Sequence, residues 1–230
     1  MALALIPARG GSKGIPRKNI KSFAGHPLLA WSIVDGINAG LRVIVSTDDE
    51  EIAEIAKVYG AEVPFLRPAE IAGDATLDLP VFQHALTWLK ENENYVPDMV
   101  VHLRPTAPIR PEGIIEKAVE TLVNHPEASS VRGITPALQN PYKMWLVHGD
   151  VIDPVIVVKH ESYNAPRQEL PKAYAHTGLI DVVRSETVMK GSMSGDVIVP
   201  VFYSNIYSVD IDTVEDWEKA EKLYEQIRDV

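Results

Sequence analysis

The 230-residue chain has no cysteine, which excludes disulfides, thiolate catalysis and cysteine-ligated zinc. Positive charge is the scarcer sign: 22 Lys and Arg against 32 Asp and Glu give a formal net charge of −10. Such a balance repels a phosphate-backbone polymer everywhere except at a local basic site, so no nucleic-acid partner is expected. No apolar run approaches the roughly eighteen residues of a membrane helix, and no charged region precedes the short apolar segment at the amino terminus. Neither a membrane span nor a signal peptide is expected, and the chain reads as cytoplasmic. The two common phosphate loops are also missing. There is no G-x-x-x-x-G-K-[ST], and Gly10, Gly11 and Gly14 do not make G-x-G-x-x-G, which removes the main support for a P-loop NTPase or a dinucleotide dehydrogenase. Internal repeats, low-complexity stretches and interdomain linkers are absent. A hydrophobic content of 46% is ample for the core of one domain spanning 1–230.

What is present is concentrated at the start, in ALALIPARGGSKGIPRKNI (Ala2 to Ile20). A short apolar run that reads as a buried strand opens into glycines, Ser12 and the cations Arg9, Lys13, Arg17, Lys18 and Lys21. Glycine lets the backbone turn N–H groups onto a phosphate, while Lys and Arg neutralise it, so the stretch has the makings of a polyphosphate site.

Along the rest of the chain, strand and helix patterns alternate. Pro27 suits the first position of a helix carrying Leu29, Ile33 and Ile37 on one face, closed by Gly40. The strand Arg42 to Ser46 leads to Thr47 or Asp48 as cap of a helix with Ile52, Ile55, Ala56 and Tyr59 on one face. Next come a short strand at Glu62 to Phe65, a helix from Leu79 to Leu89, a doubly buried strand from Met99 to Leu103 and a helix beginning at Pro111. The alternation implies an α/β fold with a mostly parallel sheet and ligands at the carboxyl ends of its strands. The pattern breaks at Pro136, and a hairpin expected around His148-Gly149-Asp150 marks an insertion exposing Tyr142, Trp145 and Val155 to Val158. Apolar groups so placed call for cover, either by a second subunit or by folding back as a lid. Strands at Gly178 to Val183, Val197 to Phe202 and Asn205 to Val209, then a helix from Val214 to Ile227, complete the pattern.

A nucleotide's phosphates need a metal as well as cations. Asp210-Ile211-Asp212 follows the last expected strand, where alternation sets both carboxylates on one side of the backbone. Hard oxygen ligands of this kind suit Mg²⁺, although Asp212 could equally cap the last helix.

P-A-R-G-G-S-K-G-I-P-R-K-N closely resembles the signature loop of the acylneuraminate cytidylyltransferases, the family of CMP-sialic acid and other CMP-nonulosonic acid synthetases. The likeness extends over nearly the whole chain and implies a fold, an assembly and a set of site residues. The fold would be a Rossmann-like, nucleotidyltransferase (GT-A-like) sheet flanked by helices, with residues 136–176 inserted as a dimerisation arm, and the protein a homodimer. Ala8, Arg9, Gly10, Gly11, Ser12, Lys13, Lys18 and Asn19, with Arg67 and Asp74 from R-P-A-E-I-A-G-D-A-T, would bind CTP; Asp210 and Asp212 in S-V-D-I-D-T-V-E-D-W would hold Mg²⁺. Arg9, Lys13, Lys18 and Asp212 would carry catalysis. The acceptor, a nonulosonic sugar acid, would meet Arg104, Thr106, Lys143, Arg167, Gln168, His176 and Thr177. Here the sequence departs from the family: Arg104 replaces a glutamine, His176-Thr177-Gly178 replaces Asn-Gly-Ala, and Leu79-Pro80 replaces small hydroxyl residues near the base pocket. An arginine fork suits a carboxylate or a phosphate. A nucleotidyltransferase with a sugar-phosphate acceptor or with GTP, and a non-catalytic nucleotide-binding protein, therefore stay open beside the cytidylyltransferase.

Overall fold

The computed structural model describes residues 1–157 and 161–228. In chain order the elements are β1 (Ala2–Pro7), β2 (Ser22–Phe23), β3 (His26–Pro27), α1 (Leu28–Asn38), β4 (Arg42–Ser46), α2 (Glu50–Val58), α3 (Asp78–Glu93) and β5 (Met99–His102). Then come α4 (Ile114–Asn124), β6 (Ser130–Pro136), β7 (Trp145–His148), β8 (Val151–Pro154), β9 (Tyr174–Arg184), α5 (Ser185–Met189), β10 (Ile198–Phe202) and α6 (Val214–Arg228).

Six strands form the central sheet in the order β10-β6-β9-β5-β1-β4. Strand β1 runs parallel to β4 and β5, and β10 runs parallel to β6, while β9 is antiparallel to both its neighbours. Each strand divides its side chains between two faces, as a period of two requires. Ala4, Ile6, Val43, Val45, Val101 and Val182 pack with α1, α2 and α4. Leu3, Leu5, Ile44, Val100 and Val183 pack with Val81, Phe82, Ala85 and Leu89 of α3. The expected mostly parallel α/β sheet is what the chain forms.

A third apolar cluster joins the two ends of the sequence. Ile15 of the loop after β1, Phe23 of β2 and Ile211 pack with Trp217 and Ala220 of α6. Phe23 meets the Trp217 ring edge-on at 5.7 Å. Burying Ile15 and Ile211 stabilises this junction by about 1.5–3 kcal/mol each.

Several local expectations need correction. Pro27 pairs with Ser22 in the small β2-β3 ladder and is the N-cap of α1 rather than its first residue. The cap of α2 is Asp49, whose carboxylate accepts from the Ile52 amide at 3.0 Å, because Thr47 and Asp48 are still leaving the strand. Glu62 to Phe65 forms only a single parallel bridge, Ile44 to Glu62, and α4 begins at Ile114, not Pro111. Asn205 to Val209 is no strand but a 3₁₀ turn over Asn205–Tyr207, capped by Ser204. The hairpin is present as β7 and β8, and Val158 lies outside the described residues.

Candidate functional site

A cleft of about 440 Å³ opens at the carboxyl ends of β1 and β5. Its first wall is the loop after β1, with Arg9, Ser12, Lys13, Gly14, Lys18 and Asn19. The loop is anchored from behind. Ala8 is fully buried, Asn19 donates to the Arg9 carbonyl at 2.9 Å, and the Gly10 amide donates to Asp48 Oδ1 at 3.0 Å. Arg17, at φ 55°, grips Asp49 and Glu51 through its guanidinium, and Gly11 stands exposed at the tip.

The second wall runs from Arg67 to Val81. Arg67 is only 6% exposed, and its Nε donates to Ser46 Oγ at 3.1 Å, so burial lowers its pKa. Asp74 faces the loop, where Arg9 Nη1 donates to it at 2.6 Å and Lys13 pairs with its other oxygen. Those contacts, the one to Lys13 first, hold the Asp74 carboxyl below its ordinary range.

The carboxyl-terminal acids meet this loop. Lys18 Nζ donates to Asp212 Oδ1 at 2.9 Å and to the Ile211 carbonyl at 2.7 Å. Ile211 is buried between Asp210 and Asp212, and its amide donates to the Thr106 carbonyl at 2.8 Å. The loss of hydration around Asp210 raises its pKa, its hydrogen bond to Thr106 opposes the rise, and the charge of Asp212 adds to it. A Cβ on Gly14 would collide with the Asp212 carbonyl, so glycine is what lets loop and acids approach.

On the third side Arg104 and Thr106 line the cleft. The arginine fork is already engaged: Arg104 Nη1 donates to Asp181 at 2.8 Å, and Nη2 lies 3.5 Å from Asp78. His176 Nε2 lies 3.0 Å from the same Asp181, and Thr177 is hydrogen-bonded to the Tyr203 hydroxyl. Burial alone would raise the Asp181 carboxyl. Its bond to His176 and the charge of Arg104 instead bring it down to about 2. Lys143, Arg167 and Gln168 are not brought to the cleft. Lys143 donates to the Tyr163 carbonyl at 3.1 Å, Arg167 lines a separate groove beside Asn140 and Tyr174, and Gln168 is exposed. Of the three cations expected to meet the acceptor, Arg104, Lys143 and Arg167, only Arg104 thus stands at the cleft within one chain.

Sequence reasoning saw the acids Asp48 and Asp49 at the strand end only as part of a helix-capping run, and it assigned no role to Asp78, Asp181 or His102. Asp181 and His102 sit in apolar strands and show their importance only through partners distant in sequence.

The cytidylyltransferase family model matches residues 3–230. The chain is 34% identical to the pseudaminic acid cytidylyltransferase of Campylobacter jejuni over 96% of its own length and 95% of the relative's. It is 32% identical to the CMP-N,N'-diacetyllegionaminic acid synthase of Legionella pneumophila, over 97% and 96%. Among solved structures, a CMP:2-keto-3-deoxy-manno-octonic acid synthetase complexed with CTP superposes with a TM-score of 0.71 at 16% identity, covering 98% of both chains, a likeness of fold. With that fold, a glycine-rich cationic loop in contact with Asp212, and kinship along nearly its whole length, the chain belongs to the cytidylyltransferase family, among the CMP-nonulosonic acid synthetases.

Proposed function

We propose that the protein activates a nonulosonic sugar acid as its CMP derivative, with the anomeric hydroxyl attacking the α-phosphorus of CTP and pyrophosphate leaving. The observation that supports this reading is the contact of Lys18 with Asp212, at a cleft that Arg9 and Lys13 also line. Arg9, Lys13 and Lys18 neutralise charge as the pyrophosphate departs, and placement and electrostatics supply most of the acceleration in phosphoryl-type transfers. Arg9 and Lys13 are now paired with Asp74, which a triphosphate would displace or share. Asp210 and Asp212 fit Mg²⁺ chemically, as two hard oxygen donors leaving room for phosphate oxygens and water. When bound there, the ion would add positive charge to the triphosphate.

Arg104, the residue that most favoured a sugar-phosphate acceptor, is neutralised by Asp181 and Asp78. That supports a monoanionic sugar acid over a phosphosugar. The apolar arm supports a homodimer. Leu146, Val147, Val151 and Ile152 of the β7-β8 hairpin are each more than half exposed, and a two-stranded ribbon is at best marginally stable alone. In a dimer the arm would carry Lys143, Arg167 and Gln168 toward the partner's cleft.

The test is pyrophosphate release with CTP, UTP, GTP and ATP, each against a panel of nonulosonic acids and sugar phosphates. Release with CTP and a nonulosonic acid is expected. Release confined to sugar phosphates would replace the acceptor, and none with any pair would sink the enzyme reading.

A further inference from the structure

His102 is the last residue of β5, is 1% exposed, and has no hydrogen-bond partner at either ring nitrogen. Leaving such atoms buried and unpaired costs about 1–3 kcal/mol, so their place in the fold calls for a reason. The ring is not sealed in the core. It packs edgewise on Phe82 at 4.7 Å and contributes, with Val81, to the floor of the cleft. Its Nδ1 lies 3.9 Å from Asp78 Oδ2, beyond hydrogen-bond reach, and Asp78 opens into the same cleft from the first turn of α3. Burial, and then the charge of Arg104, push the imidazole well below its ordinary pKa, leaving it neutral with one donor and one acceptor.

This pair occupies the α3 side of the sheet, beside Phe82 and Val81, whereas the acid pair Asp210 and Asp212 meets the cleft through Thr106 and Lys18. The cleft that holds His102 and Asp78 is also the one that holds Lys13 and Lys18. A nucleotide gripped there by its phosphates would bring its base over Val81 and His102, beside the Asp78 carboxylate, which Arg104 Nη2 approaches only to 3.5 Å.

We infer that Asp78 and His102 read the amino edge of cytosine: the Asp78 carboxylate accepts from the exocyclic amino group, and the His102 N–H donates to the adjacent ring nitrogen. Uracil would set a carbonyl oxygen against the carboxylate. His102 can exchange tautomers to suit either base, but an ionised carboxylate cannot donate, so Asp78 sets the preference and His102 its strength. The inference rests on the proposed use of CTP and names the groups that choose the base.

Calorimetric titration of the full chain with Mg-CTP and Mg-UTP, beside turnover with each, tests it. Wild type is expected to bind CTP more tightly than UTP. Asp78→Asn, which can donate, is expected to cut that ratio by tenfold or more. His102→Leu is expected to weaken CTP about tenfold, the size of one lost hydrogen bond, while the thermal midpoint stays level or rises because the imidazole has no partner to lose. His102→Gln, which keeps a donor and an acceptor, is expected to recover part of the CTP affinity. A wild-type CTP/UTP ratio in Asp78→Asn and His102→Leu, with wild-type turnover intact, would overturn this inference alone. A wild-type chain that neither binds nor turns over CTP would overturn it together with the proposed function.

Discussion

The Lys18 ammonium reaches 194 residues along the sequence to donate to the Asp212 carboxylate at 2.9 Å. Its side chain is only 12% exposed, and the Ile211 carbonyl takes a second hydrogen bond from it. Lys18 therefore faces both the loop and the acids of the proposed metal site. Lys18→Met should lower kcat/KM by about 10²–10³-fold, the usual cost of removing one group that stabilises transition-state charge. The fold should survive, as judged by an unchanged far-ultraviolet circular dichroism spectrum. A loss of less than tenfold would remove Lys18 from the phosphates.

Gly14→Ala tests the closeness of that junction. The added methyl would meet the Asp212 carbonyl, which is backbone and cannot swing aside. Activity should fall at least tenfold, through separation of loop and acids, with a stability loss of about 1–3 kcal/mol. Urea denaturation and steady-state kinetics on one preparation check both parts, and full activity would mean that the loop does not need to lie so close.

Ile211 carries the acids on an apolar anchor that is fully buried with Ile15, Phe23 and Trp217. Ile211→Ala should cost about 2–4 kcal/mol in chemical denaturation, as large-to-small core changes do. It should also raise the Mg²⁺ concentration needed for half-maximal rate, since Asp210 and Asp212 lose the anchor between them. A stability loss with unchanged metal dependence would separate the anchor from the site.

Asp181 binds Arg104 at 2.8 Å, His176 at 3.0 Å and Arg132 at 3.3 Å while its side chain is 8% exposed. Asp181→Asn strands these cations and should destabilise the protein by about 3 kcal/mol near neutrality. The folded carboxyl, at about 2, lies below its unfolded value of about 3.9, so its contribution is complete above about pH 4 and disappears as pH falls through about 2. The gap between wild type and Asp181→Asn in denaturation midpoint should therefore hold at neutral pH and narrow across that acid window. A gap that widened on acidification would show that Asp181 is not held ionised.

The hairpin arm gives a test of assembly. Val147→Lys together with Ile152→Glu places two charges on its exposed apolar strands, directly opposite each other and of opposite sign, so they cost a free monomer little. Light scattering after size-exclusion chromatography should show a dimer for wild type and a monomer for the double variant. A wild-type monomer would end the proposed role of the arm, and a dimer unaffected by the charges would place the interface elsewhere.

The sequence by itself settled what depends on local pattern. The unbroken apolar runs Leu3 to Ile6, Val43 to Val45 and Val100 to Val101 bury side chains on both faces and so specify a helix-covered sheet, and the glycines and cations of residues 9–18 announce an anion site in contiguous residues. Wherever competing contacts decide the outcome, local reading failed. The stretch Asn205 to Val209 pairs with no strand among the described residues and forms a turn, Asp49 takes the cap because Thr47 and Asp48 are still leaving the strand, and the Arg104 fork is taken up by Asp181. Only the tertiary structure could bring Ile15 to Ile211 and Lys18 to Asp212, or show His102 unpaired beside Asp78. The physical reason is that burial and ion pairing depend on distance in space, which separation along the chain does not fix.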